Sequence, residues 1–130
     1  MRPKALLYRL GEETETGCKL RAVLEEQKLP AVTVTENLLG IETGKLVSSN
    51  AALPGAPAPA QVPQQPFLLL CALGDRQLDR LLAAMRRSGV SVPYKAVLTA
   101  YNRTWTFGRL IEEVEREDRA LNGDALKTRK

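Results

Sequence analysis

Short apolar runs and longer stretches of helical periodicity alternate along the chain, in an order that occurs twice. Leu6-Leu7-Tyr8-Arg9-Leu10 ends at Gly11, and Leu69-Leu70-Cys71-Ala72-Leu73 ends at Gly74, so each run reads as a short strand stopped by glycine. A helical pattern follows each, with Leu20, Val23 and Leu24 in the first copy matched to Leu78, Leu81 and Leu82 in the second. Further on, an offset of 64 residues aligns Val34-Thr35 with Leu98-Thr99, and Gly44-Lys45-Leu46-Val47 with Gly108-Arg109-Leu110-Ile111. One offset kept over that distance points to an internal duplication. Each half predicts strand, helix, strand and then a helical or turn-like segment.

The boundaries are sharpest in the second half. Asp75 suits the N-cap of a helix whose Leu78, Leu81, Leu82 and Met85 share one face, and Gly89 suits its C′ position. A strand Tyr94–Thr99 follows Pro93. A helix from about Thr106 carries Phe107, Leu110, Ile111, Val114 and Leu121 at helical spacing, and pairs Glu112 with Arg116 and Glu115 with Arg119 at i,i+4. Two βαβ halves fit an α+β, ferredoxin-like sheet of four antiparallel strands, with helices on one face and a C-terminal helix added. They also fit an open, mainly parallel α/β sheet with helices on both faces. Short strands and few helices make two-sided cover difficult, which favours the ferredoxin-like arrangement.

Composition changes this picture at the junction. Residues 48–66 hold no charge and five of the eight prolines, at 54, 57, 59, 63 and 66, and read as an extended, mobile connector. The 130 residues then divide into a first half at 4–47, the linker at 48–66, a second half at 67–122 and a basic tail at 123–130, all within one domain. Residues 1–49 balance seven basic against seven acidic side chains, so the net charge of +4 belongs to the remainder, with Lys127, Arg129 and Lys130 at its end. Such a tail is a weak nucleic-acid signal and reads first as a solvated terminus.

The missing residue types narrow the chemistry. Without histidine there is no Ser-His-Asp or Cys-His pair and no usual zinc site, and no glycine-rich phosphate loop occurs. Cys18 and Cys71 are far apart, and Cys71 sits in an apolar run, a usage that suits a reducing cytosol. Arg9 interrupts the first apolar stretch before it reaches signal-peptide length, and no run approaches the ~20 apolar residues of a membrane span. A cytoplasmic protein with no membrane partner and no cofactor is the expectation.

The most distinctive stretch is Tyr94–Thr106. Lys95-Ala96-Val97-Leu98-Thr99, two residues, Asn102, two residues and Trp105-Thr106 lead into a helix with Glu112 and Glu113, and the first copy has Ala31, Leu38 and Ile41 where the lysine, asparagine and tryptophan stand. On these residues the chain resembles a family of small, uncharacterised bacterial proteins, mainly from Firmicutes, well over 67–121 and loosely over 4–47. It departs at Ala100 and Tyr101, where those relatives usually carry proline and threonine. The resemblance implies a domain of unknown function and no assigned activity.

Lys95, Thr99, Asn102, Arg103 and Trp105 are the candidate ligand-binding residues. Trp105, Asn102 and Lys95 each also have a structural reading. Trp105 before Thr106, with Leu110 four positions on, has hydrophobic-staple spacing; as a functional group it is a stacking platform. Asn102 shapes a turn or meets a polar ligand, and Lys95 guards a strand edge or meets a phosphate. The leading function is therefore a non-catalytic binding or regulatory module, with a homodimer as one way to cover leftover apolar surface. The alternatives are a nucleotide or single-stranded nucleic acid bound at 95–105, and an enzyme using Lys95 or Cys71 as nucleophile.

Overall fold

The apolar runs pair into one open sheet. The computed structural model describes residues 3–48 and 62–128, with side chains as far as Arg119. Its strands are β1 (Lys4–Tyr8), β2 (Ala31–Val34), β3 (Phe67–Cys71) and β4 (Tyr94–Val97), in the order β2-β1-β3-β4. Every residue of β3 and four of five in β1 are buried, whereas β2 and β4 alternate between covered and exposed. Uninterrupted apolar runs thus take the centre, where both faces are covered, and mixed runs take the edges.

Helices cover both faces. Ala5 and Leu7 of β1, with Leu68 and Leu70 of β3, pack on α1 (Glu15–Glu26) and α3 (Asp75–Arg87). The alternate residues Leu6, Tyr8, Phe67, Leu69 and Cys71 pack on α2 (Thr43–Ser48) and α4 (Phe107–Thr128). Phe67 and Phe107 meet edge to face, with ring centroids 5.6 Å apart. The mixed α and β class agrees with the α+β expectation, but the strand order differs from a ferredoxin-like antiparallel sheet. β1–β2 and β3–β4 are parallel neighbours, and only the central β1–β3 pair is antiparallel, with Leu6 opposite Leu69. The physical reason lies in β1 and β3: strands apolar on both sides need two layers of cover, and the short α2 with the first turns of α4 supply the second.

The halves meet in contacts that come in pairs. The Thr43 amide donates to the Trp105 carbonyl at 2.8 Å, and the Phe107 amide donates to the Ile41 carbonyl at 3.0 Å. The offset of 64 converts one bond into the other. A Cβ on Gly44 would lie 3.0 Å from the Arg103 carbonyl oxygen, and one on Gly108 would lie 3.3 Å from that of Leu39, again the same pair shifted. Between α1 and α3 the offset is 61. Their buried sets Leu20, Val23, Leu24 and Leu81, Ala84, Met85 correspond on it, a different match from Leu78, Leu81 and Leu82.

Other boundaries move for local reasons. β1 and β3 stop before their glycines because Arg9 and Ala72 turn left-handed, at φ 56° and 62°. Gly74, not Asp75, is the N-cap of α3, and Asp75 occupies its first turn. Gly89 is left-handed beyond the C-cap Ser88, as its position predicts. Most of the expected mobile connector, 49–61, lies outside the described residues. Its end is docked: Pro63 is buried, and its carbonyl accepts from Tyr8 Oη at 2.7 Å and Arg9 Nε at 2.9 Å. The backbone of α4 continues to Thr128, through much of the stretch read as a tail.

Candidate functional site

The chain leaves β1 for α1 on one face of the sheet. It leaves the parallel neighbour β2 for a single 3-10 turn (Glu36–Leu38) and α2 on the other. Adjacent parallel strands whose exits diverge leave a crevice at their carboxyl ends, the usual place for ligands in open sheets. Here that crevice is a cavity of about 740 Å³ whose walls carry Arg9 and Arg21 together with Glu12, Glu13 and Glu36, and the polar Thr33 and Thr35.

Both arginines are held in place. Arg21 donates through Nε to the Leu10 carbonyl at 3.0 Å and through Nη2 to Thr33 Oγ1 at 2.8 Å. Arg9 donates through Nε to Pro63 and pairs through Nη2 with Glu36 at 2.7 Å. These bonds fix the planes of the guanidiniums and leave their Nη1 groups uncommitted by them. The loop between β1 and α1 is held against the helix: Thr14 Oγ1 caps α1 by accepting from the Gly17 amide. Gly17 is required there, because a Cβ would lie 2.1 Å from the Gly11 carbonyl oxygen.

The second half has the same divergence at β3 and β4, at the opposite end of the sheet because β1 and β3 are antiparallel. Its residues differ in kind. Offsets of 63 on β1/β3, 64 on β2/β4 and 61 on the helices place Ala72, Leu82, Val97 and Thr99 where the first half has Arg9, Arg21, Thr33 and Thr35. The polar crevice belongs to the half that lacks the Lys95–Trp105 motif. Its trace in the sequence is the change from Arg9 and Arg21 to Ala72 and Leu82 between the halves, beside which the 94–106 motif is the far richer string.

The five sequence candidates do not converge. Lys95 alternates with Tyr94 and Ala96, which pack on the α2/α4 face, so it extends from the other face of the edge strand and donates to the Val92 carbonyl. Thr99 and Asn102 serve each other. Asn102 Oδ1 accepts from the Thr99 amide at 2.8 Å, Thr99 Oγ1 accepts from the Asn102 amide, and Asn102 Nδ2 donates to the Val97 carbonyl at 3.0 Å. Trp105 packs on the α2/α4 cluster with Leu110, while Thr106 Oγ1 accepts from the Arg109 amide and caps α4. The Arg109 guanidinium lies 4.8 Å from the Trp105 ring centroid, so that face already carries a cation. Arg103 and Tyr101 are exposed, Tyr101 by 83%.

Burial pushes the Cys71 thiol up to about 12, with Lys4 pulling weakly the other way, so Cys71 stays protonated at neutral pH and is no nucleophile. Cys18 is exposed on α1. Among the described residues no group of three acidic or cysteine side chains is placed to hold a metal ion, and no helix is long and apolar enough to cross a membrane.

The fold and its crevices define an open mixed α/β sheet with helices on both faces. Residues 66–121 match the family model of a domain of unknown function, DUF3783. The match takes in β3, α3, β4 and the first turns of α4, nearly the stretch on which the motif resemblance rests. The polar β1–β2 crevice lies outside it. No curated protein matches the chain, and neither does any solved structure.

Proposed function

We propose that the protein is a non-catalytic, cytoplasmic binding module whose ligand is a small molecule carrying a carboxylate or phosphate, held in the β1–β2 crevice. The observation that carries this reading is the contrast between the two copies. One strand-end crevice has two pinned arginines among its glutamates, and their equivalents in the other half, Ala72 and Leu82, are apolar. Planar guanidiniums already held in position lose little freedom on receiving an oxyanion. A thermal-shift screen of nucleotides and organic acids against the wild type, Arg21→Gln and Trp105→Ala tests it. An anionic compound should raise the melting temperature of the wild type and of Trp105→Ala but not of Arg21→Gln.

A second reading keeps nucleotide or single-stranded nucleic acid at 95–105, favoured by the exposure of Tyr101 beside Arg103. It requires salt-sensitive quenching of Trp105 fluorescence by oligonucleotides. As a homodimer, the molecule would use the free edge of β4, where the exposed Val97 and Tyr101 lie. Sedimentation as a strict monomer would remove that part of the reading.

A further inference from the structure

A second cavity, of about 580 Å³, lies on the α2/α4 side between α4 and the docked end of the linker. Glu112, Glu115, Arg116 and Arg119 line it from α4, Tyr94 from β4 and Gln64 from the linker. It is separate from the crevice: Pro63 borders it, and the bonds from Tyr8 and Arg9 to the Pro63 carbonyl stand between the two.

The four α4 residues fall at i, i+3, i+4 and i+7, a single stripe. The i,i+4 pairings expected along it are not made. Arg116 instead bonds Glu113 at 3.2 Å, and among the described residues Glu112 and Arg119 form no ion pair. Glu115 Oε1 is shielded from solvent and accepts no hydrogen bond. A shielded carboxylate oxygen without a donor has lost its hydration and gained nothing in return. The guanidinium that could serve it, Arg119, is one turn away on the same wall.

A shielded carboxylate oxygen without a donor and an exposed guanidinium without an ion pair among the described residues thus border one cavity. A simple amine entering it would meet two arginines, and a simple anion would meet Glu112 and Glu115. A molecule bearing both charges satisfies both walls. We propose that this cavity binds a small zwitterion of the amino-acid class, its ammonium group donating to Glu115 and its carboxylate received by Arg119. Tyr94 and Val62 give its side chain an apolar wall.

Calorimetric titration of the full chain with each of the twenty standard amino acids tests this, with putrescine and acetate as single-charge competitors. At least one amino acid should bind, and neither competitor should displace it. Glu115→Gln and Arg119→Gln should each weaken binding about tenfold or more, while Arg21→Gln in the crevice leaves it unchanged. Circular dichroism matching the wild type would show that each variant is folded. Absence of binding by every amino acid overturns the proposal. So does undiminished binding to folded Glu115→Gln, or equal displacement by putrescine.

Discussion

At the scale of single residues, the left-handed positions are where the two halves can be compared most directly. Lys28 and Gly89 both follow a helix C-cap, at φ 58° and 72°, and each helix closes with the same pair of bonds. The Leu29 amide donates to the Leu24 carbonyl, and the Val90 amide to that of Met85. A side chain is strained there, so Lys28→Gly should stabilise the protein by about 0.5–1 kcal/mol and Gly89→Ala destabilise it by about 1 kcal/mol, measured by urea denaturation. Cys71 gives a pH prediction. Its thiol ionises near 12 when folded but near 9.0 when unfolded. The unfolded chain therefore holds fewer protons above about pH 9, and stability falls as pH rises through that range. Cys71→Ala should flatten that alkaline slope, and in the native wild type a thiol reagent should modify Cys18 alone.

At the scale of elements, the legible parts were those whose signal is local. Gly89, the Thr106 cap and the staple from Trp105 to Leu110 follow from residues a few positions apart. The α4 ion pairs were also local in spacing, yet Glu115 and Arg119 border a cavity made with Gln64 and Tyr94, which spacing does not reveal. Strand order was not legible either. Whether β2 lies beside β1 or across an intervening strand depends on which faces of β1 and β3 are covered, and that cover comes from the distant α2 and α4. Gly17 shows how tightly one element is seated. Since a Cβ there meets backbone rather than a flexible side chain, Gly17→Ala should cost more than about 2 kcal/mol and lower the urea midpoint. Gly74→Ala, with nothing within 4 Å, should change it little.

At the scale of the whole molecule, two similar halves meet through β1–β3 and the paired contacts of Thr43 with Trp105 and Phe107 with Ile41. The 94–106 motif stood out because it is the richer string, but Thr99, Asn102 and Trp105 are engaged in closing a turn and seating α4. The residues gathered around a cavity, Arg9, Arg21, Thr33 and Thr35, are scattered over 27 positions of an unremarkable first half and come together only through parallel pairing of β1 and β2. The central claim is that this crevice binds the ligand. Amide chemical-shift mapping with inorganic phosphate and citrate, on the wild type and Arg21→Gln, tests it most directly. Saturable shifts are expected at Arg9, Arg21 and Thr33–Asn37 and should disappear in Arg21→Gln; shifts confined to Thr99–Thr106, or unchanged in that variant, would contradict binding in the crevice.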